Sequence, residues 1–248
     1  MRRLILDLWP IFLLLLLWQV WVSAAGYNSI VLVAPGAVAG DLLRFPAAYL
    51  LPALHTLAFA LGGLGLGFAV GVLLALAAWL SELLAGITTP FALLLSSTPV
   101  VCLIPVIARL FGYASRTELI AIAVMTFFPS FVCCSVGLRQ LPAMSRDVML
   151  VLHASRWQNL RLLALPAALP ALAAALRVGA TFSVLVALLA EYLMQTGGLG
   201  ALFAVTMQQF HLARALGASA WAMALSVLLF EAASAIEHRV STFYRAGS

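Results

Sequence analysis

The residues of this sequence that could hold a metal, attack a carbonyl or cradle a phosphate are few, and their spacing suits none of those tasks. Cys102, Cys133 and Cys134 all lie inside apolar runs. They lack Cys-x-x-Cys spacing, and the adjacent pair would point to different sides of a helix, so they read as small apolar packing residues. His55, His153 and His211 are scattered near the edges of apolar segments. That arrangement offers no nucleophile-and-base pair and speaks against an intramembrane enzyme. A Walker A loop needs a Lys that reaches the β and γ phosphates, yet all 13 cationic residues are Arg, with no Lys anywhere. The chain therefore carries no such ATP site, and any energised work draws on a partner or an ion gradient.

The remaining polar groups sit within apolar segments, where small hydroxyls and isolated charges can line a path for a solute. Ser96, Ser97 and Thr98 precede Pro99, whose ring frees backbone carbonyls that can face water. Thr126, Ser130, Thr181 and Ser183 are the other path candidates, with bonding back to their own helix carbonyls as the competing role. Arg109 has no polar neighbour in sequence. It either draws an anionic solute toward a gate or extends its guanidinium to the membrane surface. Arg177 and Glu191 are too far apart to pair on one helix, so each is expected to brace neighbouring helices. Glu231 reads either as a buried brace or as a contact with a partner.

The elements that position these groups must be membrane helices. Hydrophobic residues make up 65% of the 248 and charged residues 8%, against about 45–50% and 25% in soluble proteins. That balance excludes a cytosolic enzyme, a disulfide scaffold and a disordered chain. A helix needs roughly 20 apolar residues to cross about 30 Å of hydrocarbon. The expected fold is an all-α integral membrane protein, a single transmembrane domain over 1–248 with about six crossings. They are expected at 8–25, 53–80, 90–110 (interrupted by Pro99 and Pro105), 119–138 (with Pro129 inside), 171–193 and 218–236. The first run exceeds a signal-peptide core of about 7–15 residues and reads as a retained helix. Gly63, Gly67 and Gly71 recur every fourth residue, which allows close helix approach within the chain or toward a second copy. Residues 26–52 are interrupted by Pro35-Gly36, Asp41, Arg44, Pro46 and Pro52, with an interfacial helix expected near 37–43.

Six crossings put both termini and the loop 139–166 on one side. That side collects Arg2, Arg3, Arg139, Arg146, Arg156, Arg161, Arg239 and Arg245, whereas the opposite loops hold Arg44, Arg116 and Arg214, with Arg109 near an edge. The positive-inside rule makes the Arg-rich side cytoplasmic. The loop reads as a helix to His153, a turn at Ala154-Ser155, and a short helix over 156–163, with Pro166 and Pro170 stopping or restarting the chain. Trp157, Leu160 and Leu163 share one face of that short helix, away from Arg156 and Arg161. It suits docking into a groove on a soluble partner and equally a solvated loop lying on lipid headgroups.

Asp147-Val148-Met149, His153, Leu163 and Leu165-Pro166 fall where Glu-Ala-Ala, Gly, an aliphatic residue and Leu-Pro stand in a known pattern. The segment resembles the EAA loop of binding-protein-dependent ABC importer permeases. Residues 168–179 after it, 33–38, and His55-Thr56-Leu57 before the glycine-rich span resemble the nitrate/sulfonate/taurine branch. So does the order Pro99, Pro105, Phe111-Gly112, Arg116, Phe128-Pro129, then Glu191 and Gly198-Leu199-Gly200. The loop departs from the pattern at Asp147, Val148, Met149 and His153. A turn there favours Gly, although His tolerates left-handed backbone better than most residues.

The resemblance implies a type I ABC importer permease, a conduit with no chemistry of its own and no metal or cofactor. It implies a cytoplasmic coupling loop over 139–166 that separate ABC ATPase subunits grip while they hydrolyse ATP-Mg. Its contacts would be Asp147, His153, Ala154, Ser155, Arg156, Trp157, Leu160 and Arg161, with Asp147 orienting the short helix through Arg156 or Arg161. A second permease copy, in a homodimer, and a periplasmic substrate-binding protein complete the implied assembly, in a bacterial inner membrane and without nucleic acid. The branch handles nitrate, sulfonates, taurine and pyrimidine-type vitamin precursors, and Arg109 points toward an anion. The rival reading, an ion-coupled secondary transporter, would need repeated halves and a midplane Asp/Glu/His chain, neither of which is evident in the sequence.

Overall fold

The computed structural model describes residues 2–28, 31–141 and 143–245, with the side chains of 2–8, 96, 143, 145, 146, 150, 244 and 245 outside that description. The expected path residue Ser96 and the topology residues Arg2, Arg3, Arg146 and Arg245 fall among those side chains. No strand occurs among the described residues. In chain order the helices are α1 (Arg2–Ala25), α2 (Pro35–Arg44), α3 (Pro46–Leu80), α4 (Glu82–Ser97), α5 (Val100–Phe111), α6 (Ser115–Arg139), α7 (Ala143–Val151), α8 (Arg156–Asn159), α9 (Leu165–Met194), α10 (Gly198–Gln208) and α11 (Leu212–Arg245).

Four continuous helices are long and apolar enough to cross a membrane: α3, α6, α11 and the run Arg156–Met194 that joins α8 to α9. The expected third crossing is not a single helix. α4 and α5 meet at 109° and together make one broken span. The cause is local. Pro99 has no N–H to donate, and its ring pushes Thr98 out of the helical region, to ψ 125°. The first expected crossing keeps a shorter apolar stretch, Trp9–Ala25, and α1 leans on α2 where Gln19 Oε1 accepts the Gly36 N–H at 2.9 Å.

The glycine repeat serves packing within the chain. A Cβ on Gly63 would meet Ile122 at 2.4 Å, one on Gly67 the Ala123 carbonyl at 2.4 Å, and one on Gly71 the Phe127 carbonyl at 2.7 Å. α3 therefore lies backbone-to-backbone on α6, and the Thr126 hydroxyl reaches the Gly63 carbonyl at 3.2 Å. Lipid tails are as apolar as the side chains, so such close van der Waals contact supplies what hydrophobic burial supplies in water. α6 packs in turn on α9, and α9 on α11, to which Arg177 is tied by its Nε–Glu237 Oε2 bond of 2.9 Å. Leucines such as Leu73, Leu94 and Leu110 are exposed on the outside of this bundle, as a lipid-facing surface requires.

The loop 139–166 differs from expectation. The second helix does not stop at Pro166. α8 runs through a π turn over Leu160–Ala164 directly into α9, with the Leu165 N–H reaching back to Leu160 O. Pro166 explains the π turn, because its ring would clash with the carbonyl of Leu162 in a regular α-helix and a widened turn relieves the clash.

Candidate functional site

Two ends of the bundle can be told apart. At one end α8 sits beside the corner between α3 and α4. Ser155 caps α8 reciprocally: its hydroxyl accepts the Gln158 N–H at 3.2 Å, while Gln158 Oε1 accepts the Ser155 N–H at 2.8 Å. His153 occupies the left-handed region at φ 47°, so the turn forms with a side chain where glycine is favoured. Arg156 bonds the Leu80 carbonyl and Glu82, each at 3.3 Å. Trp157 is 60% exposed. The elbow so formed is capped by its own hydrogen bonds, is continuous with a membrane helix, and presents an indole to the outside.

Several expected roles shift. Among the described residues Asp147, exposed on α7, pairs with neither Arg156 nor Arg161. Arg156 turns instead to Glu82, and the short helix is oriented by its Ser155–Gln158 box. Leu160 does not share an outward face with Trp157, because the π turn directs it inward and leaves it 3% exposed in the core with Phe131 and Leu138. Ala154 lies in the turn, its N–H on Met149 O at 3.0 Å, and Arg161 is exposed.

The path candidates divide by environment. Thr98 lies at the α4–α5 break and lines a cleft of ≈ 270 Å³ with Leu95, Met125, Phe128, Pro129 and Phe182. Ser97 bonds back to Leu93 and Leu94 carbonyls at 3.1 and 3.0 Å, and Pro99 opens α5. Thr126, Ser130 and Ser183 are buried and bond to carbonyls of their own helices, the arrangement of the competing role for such hydroxyls. Thr181 is exposed on a separate apolar groove between α9, α10 and α11, where Tyr192 and Phe203 also stand. Arg109 is exposed in the last turn of α5, and Glu231 is exposed on α11.

At the other end two polar clusters tie helices together; the sequence points to Glu191 as a brace between helices, but not to its partners nor to the other cluster. Arg214 of α11 forks onto Asp41 of α2, with both N–O distances 3.2 Å, and Tyr49 of α3 donates to the same carboxylate. Partial burial pushes the Asp41 carboxyl up, but the hydrogen bonds from Arg214 and Tyr49 outweigh it and hold the carboxyl below its ordinary range. Deeper in, Thr56 Oγ1 of α3 stands 2.8 and 3.0 Å from the two carboxylate oxygens of Glu191 on α9. The same carboxylate takes the Gly200 N–H at 2.8 Å and faces His55 Nδ1 at 3.4 Å. Glu118 of α6 accepts from Thr196 at 2.9 Å beside them. Gly198 is required here, because a Cβ at that position would fall 1.9 Å from Glu191 Oε1. His55, Glu118 and Glu191 form an intramembrane Asp/Glu/His-type group that was not expected. Their separation along the chain hides it, and the sole signal in the sequence is that acids within apolar runs need partners.

A bundle of membrane-length helices bonded at one end by buried carboxylates, with a capped elbow projecting from the other, defines a multi-pass membrane protein. The chain belongs to the family of binding-protein-dependent transport system inner membrane components, whose profile matches residues 63–240. It is 31% identical over 204 residues to the riboflavin transport system permease protein RibX of Chloroflexus aurantiacus, covering 80% of this chain and 75% of that one. It is 27% identical over 198 residues to a probable ABC transporter permease protein of Haemophilus influenzae, covering 80% and 81%. The formylaminopyrimidine transport permease protein ThiX of Halalkalibacterium halodurans is 28% identical over 155 residues, 62% of each chain. Permeases of this family are transport subunits that work with ATPase subunits and binding proteins.

Proposed function

We propose that this chain is the conduit of an ATP-driven importer and that α8 is the coupling helix held by separate ATPase subunits. The observation that carries this reading is mechanical. α8 is continuous with α9, is bonded by Arg156 to the α3–α4 corner, and leaves Trp157 60% exposed. A push on the indole therefore reaches α9 directly and α3 and α4 through one side chain. ATP binding in the partner subunits then biases the bundle between two arrangements by gripping the elbow differently in each.

In this reading the elbow end and both termini are cytoplasmic. Arg139, Arg156, Arg161 and Arg239 belong to the cytoplasmic side, and at the opposite end Arg214 is neutralised by Asp41. The far end receives a periplasmic binding protein, and a second copy of the chain completes the passage in a bacterial inner membrane. ATP-Mg belongs to the ATPase partners. The solute is a small planar heteroaromatic molecule rather than a nitrate- or taurine-like anion. Two of the relatives are named for riboflavin and formylaminopyrimidine transport, and the cleft at the α4–α5 break offers Phe128, Phe182 and Met125 as flat or polarisable walls with the Thr98 hydroxyl as a polar contact.

The test is Trp157→Ala in the complex reconstituted with its ATPase and binding protein. Stimulated ATP hydrolysis and uptake are expected to be lost while the permease inserts and purifies normally. Unchanged stimulation would overturn the coupling role. Uptake of nitrate or taurine in preference to flavins and aminopyrimidines would overturn the substrate class.

A further inference from the structure

His55, Glu118 and Glu191 come from three different helices, α3, α6 and α9, and each brings one potential ligand atom to within 4.8 Å of the other two. Both carboxylates are fully buried, at 0% exposure. Among the described residues the ion pairs give Glu191 His55 and give Glu118 no cation. Two carboxyl groups facing each other in a low-dielectric interior need either a shared proton or a cation between them. Moreover, Glu118 Oε1 is buried with no N–H or hydroxyl donor on it among the described residues and has the Glu191 carboxyl as its neighbour, whereas Oε2 of the same group is held by Thr196 at 2.9 Å.

We propose that His55, Glu118 and Glu191 form a binding site for a first-row divalent transition-metal ion, for which zinc is the probe of choice. Such an ion would take the place of a proton between the facing carboxylates and give Glu118 Oε1 a cation. The donor set, one imidazole nitrogen and two carboxylate oxygens, is a mixed nitrogen–oxygen set suited to these ions, with a fourth position open. Two ligands of a four-coordinate ion with bonds of about 2.0–2.1 Å stand about 3.3–3.4 Å apart. His55 Nδ1 and Glu191 Oε1 are 3.4 Å apart, the edge of such a tetrahedron, and the Glu118 oxygen, within 4.8 Å of both, has to close in on binding. Ligating groups are ordinarily held from behind by further hydrogen bonds. Glu191 is held by Thr56 and the Gly200 N–H, and Glu118 by Thr196. His55 is stacked on Phe59, with ring centroids 4.4 Å apart. The imidazole is 27% exposed, so an ion has a way in past His55. Once bound it would pin α3, α6 and α9 together at the end opposite the elbow. This inference stands independently of the proposed coupling role and solute.

The experiment uses the full chain, purified in detergent, stripped with a chelator and titrated with Zn²⁺ by calorimetry, with apparent melting temperature as a second readout. One saturable ion per chain and a raised melting temperature are expected. Glu118→Gln keeps the shape and the Thr196 contact but removes the charge, and should weaken binding about ten-fold or more. His55→Cys, at the partly exposed ligand, provides a second variant should the buried one not fold, and should turn the preference toward Cd²⁺. Co²⁺ loaded into the unmutated chain should show the visible bands of a four-coordinate site. The proposal is overturned by the absence of a saturable site or by affinity that neither substitution changes, which would trace binding to other histidines. It is also overturned if stabilisation follows pH alone, the signature of a proton shared between the two carboxyls.

Discussion

Replacing Gly67 by alanine tests the seam between α3 and α6. The added Cβ would stand 2.1 Å from Thr126 Oγ1, 2.4 Å from the Ala123 carbonyl and 2.9 Å from the Phe127 nitrogen. The hydroxyl can swing aside, but the carbonyl and the nitrogen belong to the backbone of α6. Bringing the 2.4 Å contact to an ordinary 3.4 Å requires α3 to withdraw by about 1 Å, and a gap of that size forfeits roughly a quarter to a half of each dispersion contact along the seam. Overpacking of this kind costs about 1–3 kcal/mol, and a backbone obstacle places Gly67→Ala at the upper end. Gly65, on the same helix, has nothing within 4 Å of its would-be Cβ, so Gly65→Ala should be neutral or gain up to about 1 kcal/mol of helix propensity. Unfolding in mixed detergent followed by tryptophan fluorescence measures both. Equal stability of the two variants would refute the close approach of α3 and α6.

Ser155→Ala removes one half of the α8 capping box and should cost the elbow about 1 kcal/mol, seen as faster hydrogen exchange at Gln158 and weaker ATPase stimulation without loss of the folded permease. Pro166→Ala removes the clash that favours the π turn. The Leu160–Ala164 segment should then relax toward a regular α-helix, turning Trp157 by about 100° relative to α9, so that stability is kept and coupling lost; cysteine cross-linking between the elbow and the α3–α4 corner reads the rotation. Asp41 has a folded-state pKa below its unfolded value, so its contribution is complete above about pH 4 and fades as pH falls through the lower folded value. Asp41→Asn should lower the melting temperature at neutral pH by the equivalent of about 1 kcal/mol, since Arg214 stays partly solvated, and should flatten the acid limb of the melting-temperature profile.

The bulk of every spanning helix is legible as an apolar run, because lipid exposure selects for such runs directly. The ends are less so. Ser115–Glu118 and 237–245 are polar enough to read as loop, yet the helix continues through them because their backbone bonds are made within it. α10 is hidden for the opposite reason: eleven residues opened by Gly198 and Gly200 give no spanning signal, and its place depends on Glu191 taking the Gly200 N–H. At the elbow, the turn at His153 and the exposure of Trp157 follow from local chemistry, whereas the inward rotation of Leu160 follows from a π turn that no periodicity of 3.6 anticipates. The joining of His55, Glu118 and Glu191, and of Asp41, Tyr49 and Arg214, is tertiary. Nothing in the spacing of these residues announces it.

A crossing built from two half-helices can pivot within the bilayer without surrendering a backbone bond. Pro99 has no N–H to lose, the Leu94 carbonyl is already satisfied by the hydroxyls of Ser97 and Thr98, and the Pro99 carbonyl already accepts from Cys102 and Leu103. Each half keeps its own ladder whatever the angle between them. A swing of either half therefore spares the several kcal/mol that an exposed peptide group costs in hydrocarbon. In the proposed importer, a doorway at this break would open and shut against side-chain contacts rather than backbone hydrogen bonds.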